Sequence, residues 1–228
     1  MVIALYPIFM LVLYFNLAFW LGTAASRLSP PGIDFVVGMA VFLTIIRLTR
    51  SYDQKHLYAF YLMSDYAFAA RARGRMPKPL SRRVEEWTDL IAQRVGTVDE
   101  VLIVGHSSGA ALAVHVVARL QRRGVGGVSL LTLGHVIPMV SFLPTAGDLR
   151  RDLRTVAGAS DVYWLDVTAP SDGACFALVD PVATAGVARE ADPNPVVISA
   201  TFLRTMSEEQ IKAYKRRYFR KHVQYLCA

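Results

Sequence analysis

The middle of the chain runs Val101-Leu102-Ile103-Val104-Gly105-His106-Ser107-Ser108-Gly109-Ala110, four apolar residues that lead into Gly-x-Ser-x-Gly. A continuous apolar run predicts a buried strand over residues 98–104, and the small residues that follow predict a helix over 108–123. A strand that turns directly into a helix would place Ser107 at the apex, with a strained backbone and an exposed hydroxyl. We expect Gly105 and Gly109 to be required, because strand and helix cross too closely there for a Cβ atom.

Two common glycine-rich motifs do not match this stretch. A dinucleotide-binding fingerprint needs Gly-x-Gly-x-x-Gly and a phosphate-binding loop needs Gly-Lys-Ser/Thr, and residues 101–110 contain neither. A structural glycine turn without chemistry stays open, because so short a motif arises by chance in some chains. The preceding strand and the following helix favour a nucleophile elbow, the turn that presents a reactive serine.

The N-terminal region is apolar enough to enter a membrane. Residues 2–22 carry no charged side chain, and a helix of that length, at about 1.5 Å per residue, covers the hydrocarbon core of a bilayer. A second apolar run over residues 35–46 follows a turn at Pro30-Pro31-Gly32, so we predict a membrane-anchoring helical hairpin over residues 1–50. The alternatives are a buried core helix or a signal peptide and, for the second run, a short interfacial or re-entrant helix.

Charge gives the predicted hairpin an orientation. The formal net charge is +7, and basic residues become frequent after residue 47, so the positive-inside rule predicts that everything after it faces the cytoplasm. Basic clusters occupy residues 71–83, at the end of a helical basic linker predicted over 51–80, and residues 212–221. Membrane lipids with anionic headgroups are the expected partner, and a solvated helix face is the alternative. We expect no nucleic-acid partner, because no recognised binding module surrounds the clusters.

The two cysteines do not indicate a metal or redox centre. Cys175 and Cys227 lie far apart and belong to neither a Cys-x-x-Cys pair nor a zinc-ligand pattern, and His-Glu-x-x-His does not occur. We therefore expect free thiols, no metal site and no cofactor.

The elements after residue 80 predict an α/β fold, with a mostly parallel sheet flanked by helices. Further strands are predicted over 128–133 and 162–167, and a capping box at Ser207 opens the last helix. On the Gly-x-Ser-x-Gly motif and this order, residues 81 to about 226, within a predicted domain over 81–228, resemble the C-terminal half of the α/β-hydrolase superfamily, of the serine esterase and lipase type. The resemblance implies that this segment is a catalytic domain.

The same resemblance implies a catalytic triad in the chain order serine, acid, histidine. Ser107 would be the nucleophile. His222, followed three residues later by a tyrosine near the end of the chain, would be the base, and a histidine that only ends a basic helix is the alternative. His135 lies at a strand end, where a structural or pocket role is expected, and His115 lies within the elbow helix, pointing away.

The acid of the triad would be Asp172. It follows the strand over 162–167 in a Pro/Gly-containing turn, at the strand end where open α/β sheets build their sites. Asp166 within the strand and Asp180 before Pro181 are alternatives, as is an Asp172 that only makes the turn.

The resemblance also implies an oxyanion hole with two hydrogen-bond donors. The backbone N–H of Ser108 would supply one donor, and a loop after an earlier strand would supply the other. Nothing before residue 98 reads as that strand, so either another segment supplies the donor or the chain is a shortened version of a longer protein. His106 is expected to line the pocket or pack beside the elbow.

The sequence therefore predicts a membrane-anchored serine hydrolase that cleaves a small-molecule or lipid ester through an acyl-enzyme. A non-catalytic membrane protein that retains a hydrolase-like scaffold is one alternative. An acyltransferase, in which an acceptor other than water takes the acyl group, is another.

Overall fold

A computed structural model describes residues 2–187, 194–214 and 218–227 of the chain. The chain divides into two compact units, Met1–Ala67 and Phe68–Ala228. The boundaries predicted at residues 50 and 80 stay predictions. Each unit is described by itself below.

The N-terminal unit is helical. Its elements are α1 (Val2–Arg27), α2 (Asp34–His56) and the first part of α3 (Ala59–Arg71). α1 and α2 pack through glycines, because a Cβ added to Gly22 would lie 2.8 Å from the carbonyl oxygen of Gly38, and one added to Gly38 would lie 2.9 Å from that of Gly22. Small residues at such a contact let two helix backbones approach closely, as they do in membrane helix pairs.

Both long helices of this unit have the dimensions of membrane spans. Tyr6–Arg27 and Asp34–His56 are long and apolar enough to cross a bilayer, and many of their large apolar side chains are exposed. The second helix continues ten residues beyond the apolar run that ends at Ile46. Length and composition therefore support association with a membrane, as the sequence predicted.

The turn between α2 and α3 is built around Asp53. Tyr58 adopts a positive φ of 59°, which separates the two helices. The Asp53 carboxylate then accepts the backbone N–H groups of Ala59 and Phe60 at 3.0 and 2.9 Å, and so satisfies the free amides at the start of α3.

The second unit contains the α/β fold. After the end of α3 come α4 (Lys78–Ala92), β1 (Val101–His106), α5 (Gly109–Arg122), β2 (Val128–Leu133), α6 (Ile137–Ser141), α7 (Gly147–Ala157) and β3 (Tyr163–Thr168). The remaining elements are α8 (Pro181–Thr184), β4 (Val196–Ser199), α9 (Phe202–Thr205), α10 (Glu208–Tyr214), α11 (Tyr218–Val223) and a 3₁₀ turn over Gln224–Leu226. The capping box is confirmed, since the Ser207 N–H donates to Gln210 Oε1 at 2.9 Å and the Gln210 N–H to Ser207 Oγ at 3.3 Å.

Within the described residues the sheet has four strands in the order β1-β2-β3-β4, and every neighbouring pair is parallel. The predicted parallel α/β architecture is confirmed at this level. β1 begins at Val101 rather than at residue 98, because Val98 makes only an isolated bridge with Val95. The prediction that this strand is buried is wrong, because only Gly105 among its residues is buried. β4 was not predicted from the sequence. Only four residues long, it offers too little pattern for period counting.

The core lies on one face of this sheet. α5 is buried along most of its length and packs against β1, β2, α4 and α7, and the fully buried Leu130 and Trp164 supply the sheet side of the contact. On the opposite face Leu102, Val104 and Tyr163 are about half exposed. The described residues therefore cover one face of the sheet more completely than the other, and β1 is an edge strand among them.

Candidate active site

The elbow has the backbone that the sequence predicted. β1 ends at His106, α5 begins at Gly109, and Ser107 between them adopts a φ of +57°. A residue with a Cβ is strained in this left-handed region, by about 1–2 kcal/mol. Backbone hydrogen bonds hold it there: the Ser107 N–H donates to the Leu133 carbonyl at 3.0 Å, and the Ser107 carbonyl accepts the N–H of Ala110 at 3.2 Å and of Val136 at 3.4 Å. The side chain is neither sealed in the interior nor fully exposed.

The two glycines of the motif have different roles. A Cβ on Gly105 would lie 2.7 Å from the Ala110 Cα and 2.8 Å from the Ala113 Cβ, so the crossing of β1 and α5 requires glycine there. A Cβ on Gly109 would meet no atom within 4 Å, so the prediction that Gly109 is required by close packing is wrong. Gly109 is the first residue of α5 and faces open space, which keeps the end of the helix accessible.

The structure brings Asp172 and His222 together, although 50 residues separate them. Their Oδ2 and Nδ1 atoms are 2.8 Å apart, and both side chains are buried. An ionised carboxylate accepts at this contact, so His222 Nδ1 carries the proton and donates. That tautomer leaves Nε2, which has no hydrogen-bond partner among the described residues, as the basic nitrogen.

Backbone and side-chain donors fix the orientation of the Asp172 carboxylate. The chain turns tightly after β3, where the Asp172 N–H donates to the Ala169 carbonyl at 2.9 Å. Oδ1 then accepts the Ala174 N–H at 2.9 Å, and Oδ2 accepts the Tyr225 hydroxyl at 3.1 Å in addition to His222. The Asp-Gly turn is therefore present, and the same residue also holds the histidine.

Tyr225 also belongs to this site, and the sequence did not predict its role. Its hydroxyl accepts the Ala169 N–H at 2.8 Å and donates to Asp172. Its ring lies on Gly134, where an added Cβ would approach the Tyr225 Cε2 to 2.6 Å. The sequence did show a tyrosine three residues after His222. That spacing indicated the segment of the base, but it could not predict the hydrogen bond from Tyr225 to Asp172.

The electrostatics of the pair keep the carboxylate charged. Burial raises the pKa of Asp172, but the hydrogen bonds from His222 and the Ala174 amide outweigh it and hold the pKa below its usual range. Burial raises the pKa of Cys175, which lies beside Tyr225, to about 12, so this thiol remains neutral. Both cysteines are free, as predicted, and Cys175 is buried whereas Cys227 is exposed.

His106 contacts the main chain of His222. Its Nε2 lies 2.7 Å from the His222 carbonyl oxygen, and the two rings lie 4.7 Å apart between centroids. Burial lowers the pKa of His106, and the bond to the carbonyl offsets part of that effect. The residue before Ser107 therefore joins the elbow to the segment that carries His222.

The alternative acids lie elsewhere. Asp166 is fully buried and accepts the Thr132 hydroxyl, and burial raises its pKa to about 7. Its second oxygen has no hydrogen-bond partner among the described residues and lies 3.5 Å from His135 Nε2. Asp180 caps α8 by accepting the N–H groups of Val182 and Ala183.

The alternative histidines are held in the interior. His135 Nε2 donates to the Val179 carbonyl at 3.0 Å, and burial lowers the pKa of His135 to about 4. His115 Nδ1 lies 2.6 Å from Asp152 Oδ2, in a buried pair that joins α5 to α7. His115 lies within α5, as expected, and these contacts fix both rings within the α/β unit.

The start of α5 lies beside Ser107 and carries a backbone N–H group that is free within the described part of the chain. Ser108 is the N-cap residue, and its backbone N–H makes no hydrogen bond to a described residue. Amides at a helix N-terminus attract negative charge. Because β1 is the edge of the sheet in the described part of the chain, no neighbouring strand on its far side carries a second donor to Ser107. Within that same part of the chain, the Ser107 hydroxyl makes no hydrogen bond to His222.

Among the described residues, no three His, Cys, Asp or Glu side chains gather where they could share a metal ion. Comparisons with protein-family models, with curated proteins and with solved structures found no match.

Proposed function

We propose that this protein is a membrane-anchored serine hydrolase with an α/β-hydrolase-like catalytic unit, and that it cleaves an ester through an acyl-enzyme. The observation that carries the proposal is the buried Asp172–His222 pair, which His106 ties to the end of β1, next to Ser107. A serine needs a base to take its proton, and that base needs a carboxylate to hold its tautomer.

In the proposed mechanism Ser107 Oγ attacks the ester carbonyl while His222 Nε2 takes the hydroxyl proton. The oxyanion of the tetrahedral intermediate accepts a hydrogen bond from the Ser108 N–H and lies at the positive end of α5. His222 then gives its proton to the departing alcohol, which leaves the acyl group on Ser107. A water molecule, deprotonated by His222, attacks the acyl-enzyme and releases the acid, and the proton returns to Ser107. Asp172 stays ionised throughout and holds Nδ1–H.

The N-terminal unit suggests where the substrate is found. Two helices with the dimensions of membrane spans would hold the catalytic unit at a bilayer, where esters of lipids are concentrated. The charge asymmetry around the helices favours a catalytic unit in the cytoplasm, next to anionic headgroups. Part of the basic segment 212–221 lies outside the described residues, and its described members Lys212 and Arg220 are exposed.

A non-catalytic scaffold is the second candidate. It is favoured by the edge position of β1, since the described residues supply one oxyanion donor at Ser108 and no neighbouring strand to carry another. Losing one such donor typically costs about 10²–10³ in rate. A scaffold would retain the fold and the Asp172–His222 pair without reacting.

Labelling of the full-length protein in membranes by a fluorophosphonate probe separates the two candidates. We expect the wild-type protein to be labelled and to hydrolyse p-nitrophenyl esters, and Ser107→Ala to abolish both reactions. Ser108→Ala is the matched control: it removes the neighbouring hydroxyl but keeps the backbone donor, so it should still be labelled. Folded wild-type protein that resists the probe would establish the scaffold instead.

A further inference from the structure

The base of the proposed triad is carried by a short segment. His222 belongs to α11, a helix of six residues that is followed directly by a 3₁₀ turn. A helix this short is marginal by itself, so tertiary contacts must determine the position of its backbone. The bond to Asp172 orients the His222 ring, but it does not by itself fix the His222 main chain.

A second contact holds that main chain. His106 Nε2 lies 2.7 Å from the His222 carbonyl oxygen, across a separation of 116 residues in the chain. A carbonyl can only accept, so Nε2 of His106 carries a proton and donates. His106 is the last residue of β1 and is bonded covalently to Ser107, so its position relative to the nucleophile is set by the sheet.

We propose that His106 is a positioning residue, which fixes the His222 backbone relative to Ser107 through its Nε2–H donor. This inference rests on the proposed function. Both the nucleophile and the base are then positioned by the end of β1. The distance from His222 Nε2 to Ser107 therefore does not depend on the stability of α11. A misplacement of about 1 Å between reacting groups can cost about 10²-fold in rate.

The alternative role for His106 is packing alone, because its ring lies 4.7 Å from that of His222 and 6.0 Å from that of Tyr225. Two substitutions separate the donor from the ring. His106→Gln places an N–H donor the same number of bonds from Cβ as Nε2 but removes the ring. His106→Phe keeps an aromatic ring of similar size but removes the donor.

The test measures kcat and KM for p-nitrophenyl butyrate with the full-length protein, and thermal unfolding of each variant. We expect His106→Phe to lower kcat by about 10–100-fold with KM nearly unchanged, and His106→Gln to stay within a few-fold of wild type. The low-field NMR signal of the His222 Nδ1 proton should shift in His106→Phe and keep its position in His106→Gln.

The other outcomes also decide for or against the inference. If His106→Phe reacts as fast as wild type, the donor is dispensable and only this inference fails. If both variants are equally slow while folded, packing of the ring is responsible. If His106→Phe does not fold, a slow but folded His106→Gln rejects the donor role and a fast one supports it. If the wild-type protein does not react, the proposed function itself fails, and the inference falls with it.

Discussion

Each of the two units of this protein contains a buried aspartate that accepts a hydrogen bond from a tyrosine. In the helical unit, Asp53 accepts the hydroxyl of Tyr14 at 2.9 Å and two backbone amides. In the α/β unit, Asp172 accepts the hydroxyl of Tyr225 at 3.1 Å and one backbone amide. Both carboxylates are almost completely inaccessible to solvent. By burial and by number of donors the two residues look alike.

The difference is the third partner. Asp53 accepts a second backbone N–H at the start of α3, that of Phe60, and so acts as a helix cap, whereas Asp172 accepts Nδ1–H of His222. A histidine has a second nitrogen, and it can therefore pass on the effect of the carboxylate to another group. A buried, fully bonded carboxylate is thus a structural feature in itself, and only the histidine and the nearby Ser107 turn make one of the two a candidate for chemistry.

The largest expected effect comes from replacing each aspartate with asparagine. Asp172→Asn should lower kcat by about 10³–10⁴-fold, because an amide no longer requires the His222 tautomer that leaves Nε2 basic. Asp53→Asn should leave kcat unchanged, because its partners are a tyrosine and backbone amides in the other unit. Ester hydrolysis by the two full-length variants measures the contrast.

Circular dichroism of both asparagine variants serves as the control, since each substitution keeps the size of the side chain. Equal losses of kcat would mean that the two aspartates affect the site only through stability. The proposed difference between Asp53 and Asp172 would then be wrong.

The glycine contacts of the two units allow a second comparison. Gly105→Ala should destabilise the α/β unit by about 3 kcal/mol, because β1 is held by β2 and cannot move away from the Ala110 and Ala113 atoms that an added Cβ would meet. Gly22→Ala should cost less, about 1 kcal/mol, because two helices of a hairpin can separate slightly. Chemical denaturation measures both.

Gly109→Ala is the matched control for the elbow. Its Cβ would lie in open space, and alanine has a higher helix propensity than glycine. The free energy of unfolding should therefore be unchanged or higher by about 0.5 kcal/mol. A large loss of stability in Gly109→Ala would show that the two glycines are equivalent after all.

The tyrosines give the third comparison. Tyr225→Phe leaves the Ala169 amide without an acceptor and removes one donor from Asp172, so we expect a loss of about 1–3 kcal/mol in stability and a fall in kcat of about tenfold. Tyr14→Phe removes one donor from Asp53 and should affect stability alone. If kcat is unchanged in Tyr225→Phe, the hydroxyl does not help to orient Asp172.

The smallest expected effect is on acid stability. The pKa of Asp172 is lower in the folded protein than in the unfolded chain, where it is about 4, so its contribution to folding is present above that pH. The contribution is lost as pH falls through the lower, folded pKa. The difference in unfolding free energy between wild type and Asp172→Asn should therefore shrink below about pH 4. A difference that stays constant from about pH 7 to about pH 3 contradicts this assignment.

Prediction from sequence succeeded where local pattern dominates. The apolar run into Gly-x-Ser-x-Gly marked the bend at Ser107, and the two N-terminal runs marked helices long enough for a bilayer. Asp172 and His222 were paired through a resemblance, and they lie within hydrogen-bonding distance, although their catalytic role stays a prediction. The short strand β4, the open space beside Gly109 and the bond from Tyr225 to Asp172 depend on contacts between distant segments, which no local pattern encodes.

The amino-acid sequence by itself determined that a strand turns sharply into a helix at Ser107 and that the chain begins with two long apolar helices. These features follow from periodicity, glycine geometry and apolar length, which are properties of neighbouring residues. Only the tertiary structure decided which of the two buried aspartates holds a histidine, and that His106 ties this histidine to the elbow. Hydrogen bonds between residues 50 and 116 positions apart exist only once the sheet has brought its carboxyl ends to one edge.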